Sequence, residues 1–390
     1  MNVSQRAAAI EPSATLEIAA KAAAMRAQGR DVLSFSAGEP DFPTPPPICR
    51  AAMEAIEKGH TKYTATAGLP EVRQALAKYL GARKGVAIDP ACVLLTAGVK
   101  SGVYLALLAC LDPGEEVLGI APYWVTYPWA VKIAGGHYRA VAPGPGMRPD
   151  LAALRAALTP RTRALLINSP NNPSGVVYTA EEMASLVQFC AEHDLWLLSD
   201  EIYEDLVFGG LKHVSPLSVG GDAEERVILL SGFSKSYCMT GWRAGYIVAP
   251  KRLAGHLSDV LSHISGNITT PTQHAILEAI HSGGPYLASM QREFAPRRDA
   301  MVRGLRSLPG VRCPDPDGAF YVLADFSAHL GGRWKDDAAL ALAFLEEADV
   351  AAVPGAAFGA PKHVRFSYAT PVANIEEGMR RLQRFFARQQ

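Results

Sequence analysis

From about Val93 to Val248 the chain alternates two rhythms: short uninterrupted apolar runs and longer stretches with helical spacing. The runs are VLLT (93–96), VLGI (117–120), YRAV (138–141), ALLI (164–167), WLLS (196–199), VILLS (227–231) and GYIV (245–248). A strand covered by helices on both faces has no wet side, so its sequence is continuously apolar rather than alternating. The seven runs therefore predict an α/β domain with a mostly parallel seven-stranded sheet flanked by helices. After about Gly283 the rhythm changes to a long helix rich in Arg and Glu, short strands near 320–324 and 364–368, and a terminal helix from Asn374. This part reads as a smaller α+β domain.

Upstream, Ser13 or Thr15 can cap an Ala-rich helix that runs to about Ala27, with Gly29 as its stop. The proline cluster at 43–47 reads as a crossing segment between domains. The expected division is residues 1–45 as an N-terminal segment and helix belonging to the small domain, 46–284 as the large ligand-binding domain, and 285–390 as the C-terminal small domain. A chain of 390 residues exceeds the size at which one core stops growing, which favours two domains with a cleft between them.

Composition narrows the function. Thirty-eight basic residues balance 38 acidic ones, so no overall field attracts nucleic acid or an acidic membrane, and neither is expected as a partner. No apolar run approaches the length of a membrane span. Six cysteines without a CxxC pair suggest neither a zinc site nor a disulfide framework, no metal is expected, and a reducing cytoplasm is the simplest home. Residues 1–31 lack the apolar core of a signal peptide, and Glu11 and Glu17 argue against a transit peptide.

Open parallel sheets bind ligands beyond the carboxyl ends of their strands, and here those ends carry unusual residues. After 93–96 comes TAGVKS (96–101), a glycine turn opening a helix, which can hold a phosphate or be an ordinary helix start. PYWVTY (122–127) offers flat rings for a planar ligand or for core packing. NSPNNPSG (168–175) presents side-chain amides on tight turns, or is a plain loop. Asp200 ends a strand, with Tyr203 on the same side if a helix begins there. Lys235 and Arg243 follow the 227–231 run.

SGFSKSYCMTGWRAG (231–245) resembles the lysine signature of the class I aminotransferases, which have the fold-type I architecture and use pyridoxal 5'-phosphate (PLP). SAGEPDF (36–42), KYTATAG (62–68), NSPNNPSG (168–175), DEIY (200–203) and VRFSYA (364–369) match in order, so the resemblance spans nearly the whole chain. It implies a catalytic set of Lys235, Asp200 and Tyr203. Lys235 would bond the cofactor and move the α-proton, which requires a pKa below the ordinary ~10.4. Asp200 would pair with the ring nitrogen, Tyr203 and Asn172 would bond the phenolic oxygen, and Trp124 would stack on the ring. Gly98, Val99, Lys100, Ser101, Ser234, Arg243 and Tyr63 of the partner subunit would hold the phosphate, which implies a homodimer. Arg365, with Asn172, Trp124 and the Gly38 backbone, would grip the substrate α-carboxylate.

Lys100, Ser13 and Thr15 match residues that hold an acidic substrate side chain in the bacterial aspartate subgroup. The resemblance thus implies transfer between L-aspartate and 2-oxoglutarate, giving oxaloacetate and L-glutamate. Prephenate, aromatic amino acids or alanine are alternative substrates, and a PLP lyase is an alternative reaction on the same fold. Two residues depart from the pattern: Cys238, expected to affect packing only, and Gly232, which lacks a phosphate-binding hydroxyl that some members carry.

Overall fold

The computed structural model describes residues 1–220 and 223–388. All seven apolar runs form strands of one sheet: β1 (Val93–Ala97), β2 (Glu116–Ile120), β3 (His137–Val141), β4 (Thr162–Asn168), β5 (Trp196–Asp200), β6 (Val227–Gly232) and β7 (Ala244–Val248). Their order across the sheet is β1-β7-β6-β5-β4-β2-β3. Only β7 runs against its neighbours, inserted between β1 and β6.

Alternate residues of the central strands enter two separate cores. Leu95, Leu118, Leu165, Leu197 and Leu229 face one side, whereas Leu94, Val117, Leu166, Leu198 and Ile228 face the other. Both faces are therefore dry, and each buried leucine contributes about 1.5–3 kcal/mol relative to exposure. Strand β3 lies at the edge, where His137, Arg139 and Ala140 are exposed.

The C-terminal part forms a three-stranded antiparallel sheet in the order Val353–Pro354, His363–Ser367, Tyr321–Asp325. Helices Asp337–Ala348 and Val372–Ala387 cover it. The N-terminal segment joins this unit: Leu33–Ser34 pairs in parallel with Val350–Ala351, and Ala22, Met25 and Val32 pack with Leu345.

Three local expectations are corrected. Helix Ala14–Ala27 has Ser13 at its N-cap, but neither hydroxyl caps it: Ser13 makes no cap bond, and the Thr15 Oγ1 is buried without a partner. Gly29 does end it, at φ +87°. The proline cluster is extended only as far as Pro45; Pro46 and Pro47 open helix Pro46–Glu57, where missing N–H groups cost nothing. No helix begins after Asp200. Residues 201–206 make turns instead, because Asp200 Oδ1 accepts the Ile202 N–H at 3.1 Å.

Candidate active site

A cavity of about 610 Å³ opens beyond the carboxyl ends of β1, β4, β5 and β6. Most of the predicted residues line it. Asn172, Asp200, Tyr203, Ser234, Lys235 and Arg243 come from the large sheet's loops, with Val99, Lys100 and Trp124 beside them. Ser13, Thr15, Gly38 and Arg365 come from the terminal parts of the chain. Five basic side chains, Arg26 among them, face only Glu39 and Asp200 as acids, so a neutral protein concentrates positive charge here.

Lys235 is half-buried, and its Nζ donates to the Gly38 carbonyl. Burial, with help from Arg243 and Arg365 and against the pull of Glu39, pushes its pKa down to about 8. Asp200 is buried at the end of β5, and Oδ2 accepts the Tyr127 hydroxyl at 2.8 Å. Burial raises its pKa to about 6 despite that hydrogen bond. A buried acid without a cationic partner suits a protonated ring nitrogen.

A helix start able to hold an anion rests on glycines. Gly98, at φ +80°, is the N-cap of helix Val99–Cys110, whose first N–H groups are free to bind an anion. A Cβ on Gly98 would lie 2.5 Å from Arg243 Nη2, and one on Gly245 would lie 2.5 Å from the Gly98 carbonyl carbon. Gly232 pairs with Gly245, and its Cβ would meet the Ala244 carbonyl oxygen at 2.6 Å. The absent hydroxyl at Gly232 thus reflects a position with no room for a side chain. Arg243 adopts φ +56° and donates to the Thr240 carbonyl at 2.8 Å.

Arg365 is 2% exposed. Its Nη1 donates to Asn172 Oδ1 at 3.0 Å and its Nη2 to the Ser36 carbonyl at 2.8 Å, while Nε is buried without a partner. Asn172 is itself set by its N–H, which donates to Asn168 Oδ1 at 2.8 Å. Burial lowers the Arg365 pKa. Lys100 is exposed yet turned inward, with Nζ 5.1 Å from the Trp124 ring centre; burial of the ammonium and the charge of Arg243 lower its pKa.

Ser101 and Tyr63 do not join this cavity. The Ser101 hydroxyl donates to the Ala97 carbonyl at 3.2 Å, and Tyr63 is 98% exposed. Cys238 has φ +55° and sits with Sγ 3.4 Å from Met290 Sδ, away from the cavity lining. Several lining residues escaped the sequence reading, chiefly Ser36, Glu39 and Tyr321. Tyr321 gave no signal of its own, since an aromatic in a buried strand reads as core; the fold sets its strand beside that of Arg365, with Leu323 opposite Arg365. Among the described residues, Glu201, Glu204 and His213 form the one group that could hold a metal ion, and the Lys84 ammonium already lies 2.8 Å from both carboxylates.

A donor set of one depressed lysine, one buried acid, a helix-start anion cradle and a buried arginine fits a phosphorylated pyridine aldehyde together with a carboxylate substrate. Residues 30–382 match the family model for class I and II aminotransferases. The aspartate aminotransferase of Geobacillus stearothermophilus is 40% identical, over 99% of both chains. The aspartate/prephenate aminotransferase of Cereibacter sphaeroides is 41% identical over 99% of this chain and 98% of that one. The solved aspartate aminotransferase of Thermus thermophilus with maleate superposes with a TM-score of 0.93 at 41% identity, covering 98% of this chain and 99% of that one. The chain has the fold-type I architecture and belongs to the class I and II aminotransferases.

Proposed function

We propose that this aminotransferase uses PLP to move the amino group of L-aspartate to 2-oxoglutarate, releasing oxaloacetate and L-glutamate. The observation that carries the substrate assignment is the pairing of two cations, Arg365 and Lys100, with Ser13 and Thr15 around one cavity. Such a cavity suits a substrate with two carboxylates, one for the arginine fork and one for the lysine. The names of the relatives support the same reading.

When bound, PLP supplies an electrophilic carbon for the amino group and a protonated ring that accepts the electron pair of the α-carbon. The chain's own residues do the rest. Arg365, oriented by Asn172, Ser36 and the ring of Tyr321, grips the α-carboxylate and fixes the α-carbon. Lys235, with a pKa of about 8, is neutral often enough to take the α-proton and return it. Asp200 holds the ring nitrogen protonated, Tyr203 donates to the phenolic oxygen, and Arg243 with the Val99–Cys110 helix start holds the phosphate. Ser234 and Trp124 complete the pocket for the cofactor.

In this reading residues 1–45 and 285–390 form the small domain and 46–284 the large one. Tyr63 completes the phosphate site of the partner subunit in a homodimer, in keeping with its full exposure and with exposed Met53 and Ile56 on a nearby helix. Among the described residues no helix is long and apolar enough to cross a membrane, and the described cysteines are free, in keeping with a cytoplasmic enzyme.

A half-reaction screen of PLP-loaded protein against aspartate, glutamate, alanine, phenylalanine and arogenate tests substrate and reaction together. Aspartate should discharge the chromophore with one equivalent of oxaloacetate; release of ammonia or pyruvate would indicate a lyase. Lys100→Ala should raise KM for aspartate much more than for phenylalanine, and equal effects would exclude the role given to Lys100.

A further inference from the structure

Tyr321 touches both Arg365 and Tyr203, the groups proposed for the two ends of the chemistry. It is fully buried in the strand Tyr321–Asp325, beside the strand of Arg365. Its hydroxyl lies 2.9 Å from that of Tyr203. Its ring carries the Arg365 guanidinium 4.4 Å from its centre. Its Oη stands 3.3 Å from where a Cβ on Gly38 would lie.

We propose that Tyr321 is a positioning residue that couples the carboxylate clamp to the hydroxyl donor of the cofactor, its O–H donating to Tyr203 while its ring braces Arg365. The inference rests on the PLP reading above. A tyrosine hydroxyl has one proton. If Tyr203 gives its proton to the phenolic oxygen, the bond between the two tyrosines must run from Tyr321 to Tyr203. Tyr321 then polarises Tyr203 and makes it the stronger donor. The charged and titratable groups acting on this pair are Arg365 from the adjacent strand, Glu39 from the N-terminal segment and Asp200 from the end of β5. Because the same ring seats Arg365, filling the clamp and setting the donor involve one rigid side chain from the C-terminal unit.

The two contacts can be separated. Tyr321→Phe removes the hydroxyl and keeps the ring, whereas Tyr321→Leu removes both. A weaker Tyr203 donor leaves more negative charge on the phenolic oxygen, which holds the neighbouring proton of the Lys235 nitrogen more firmly. The pH midpoint of the absorbance change of the loaded Tyr321→Phe protein should therefore rise, by about half a unit to one unit for one hydrogen bond. KM for aspartate should stay near that of the parent. Tyr321→Leu should add a rise in KM of about fivefold or more from the lost cation–π seat. In a cycle with Tyr203→Phe, the double variant Tyr203→Phe/Tyr321→Phe should have the midpoint of Tyr203→Phe alone. Additive midpoints, or a Tyr321→Phe protein with the parent's midpoint, would overturn the coupling. Failure of the parent protein to develop a visible band with PLP would instead overturn the cofactor reading. Thermal melting of each variant identifies loss of fold; should Tyr321→Phe unfold, the KM comparison between Tyr321→Leu and Tyr321→Met, both without a ring, decides, and parent-like values in either overturn the bracing role.

Discussion

Asp200 shows at the residue scale how function opposes stability. Its carboxylate is enclosed and meets a tyrosine hydroxyl and a backbone N–H but no cation within hydrogen-bond reach, and burial lifts its pKa to about 6 from an ordinary ~3.9. In the unfolded chain the group ionises near pH 4; in the folded, cofactor-free chain it resists until pH 6. Below pH 4 both states are protonated and the residue costs nothing. As pH rises from 4 to 6 a penalty grows, reaching on the order of 3 kcal/mol, and it persists above. Asp200→Asn, which keeps the shape, should therefore stabilise cofactor-free protein at pH 8 and not at pH 4, as read from urea unfolding at the two pH values. In the role proposed for Asp200, the same change should sharply reduce transamination, because a neutral amide would not hold the ring nitrogen of PLP protonated. A stability difference between variant and parent that is the same at pH 4 and pH 8 would show that Asp200 is not strained by burial.

At the scale of elements, the ends of β1, β6 and β7 are held together by absent side chains. Gly98, Gly232 and Gly245 allow backbone to lie on backbone, and so place the first turn of helix Val99–Cys110 beside Arg243. Gly232→Ser, which supplies the hydroxyl that the wider family sometimes has, should weaken PLP binding in equilibrium titration, since its Cβ must displace the Ala244 carbonyl. Behind the turn that carries Asp200 and Tyr203, Lys84 bonds Glu201 and Glu204 in a dry cluster completed by His213 and Ser215. Burial alone would raise the Glu201 pKa, but Lys84 and His213 hold it well below the carboxylate range. Lys84→Met should cost about 3–5 kcal/mol in urea unfolding, because two carboxylates lose their cation, and adding Glu204→Gln should return part of it. The elements themselves were legible because seven continuous apolar runs, 93–248, have few other solutions. The turn at 201–206 was not: DEIYE has helical residues, and only in the fold do Asp200 Oδ1, which accepts the Ile202 N–H, and Lys84 and His213, which hold Glu201, bend the chain there.

For the whole molecule, the cavity exists because distant parts of the chain meet: Ser13 and Gly38 from one end, Arg365 and Tyr321 from the other, Lys235 from the middle. Motifs betrayed Gly38, Lys235 and Arg365, since each lies in a short unusual string of the sequence. Tyr321 and Ser36 were silent, one because an aromatic in a buried strand looks like core, the other because it acts through a backbone carbonyl. Tyr63 raises the opposite case: the motif names it, yet its side chain points to solvent in the single chain. If each site of a homodimer draws Lys235 from one subunit and Tyr63 from the other, inactivating the two positions in different chains leaves one intact site per mixed dimer. The mixed dimer of Lys235→Ala with Tyr63→Leu pairs the native Lys235 of one chain with the native Tyr63 of its partner. The other site carries both defects. Random reassembly of equal amounts makes half of the dimers mixed, so the mixture should recover about a quarter of parental activity from two poorly active stocks. Activity that stays at the average of the two stocks after denaturation and refolding together would mean that Tyr63 serves its own chain or none.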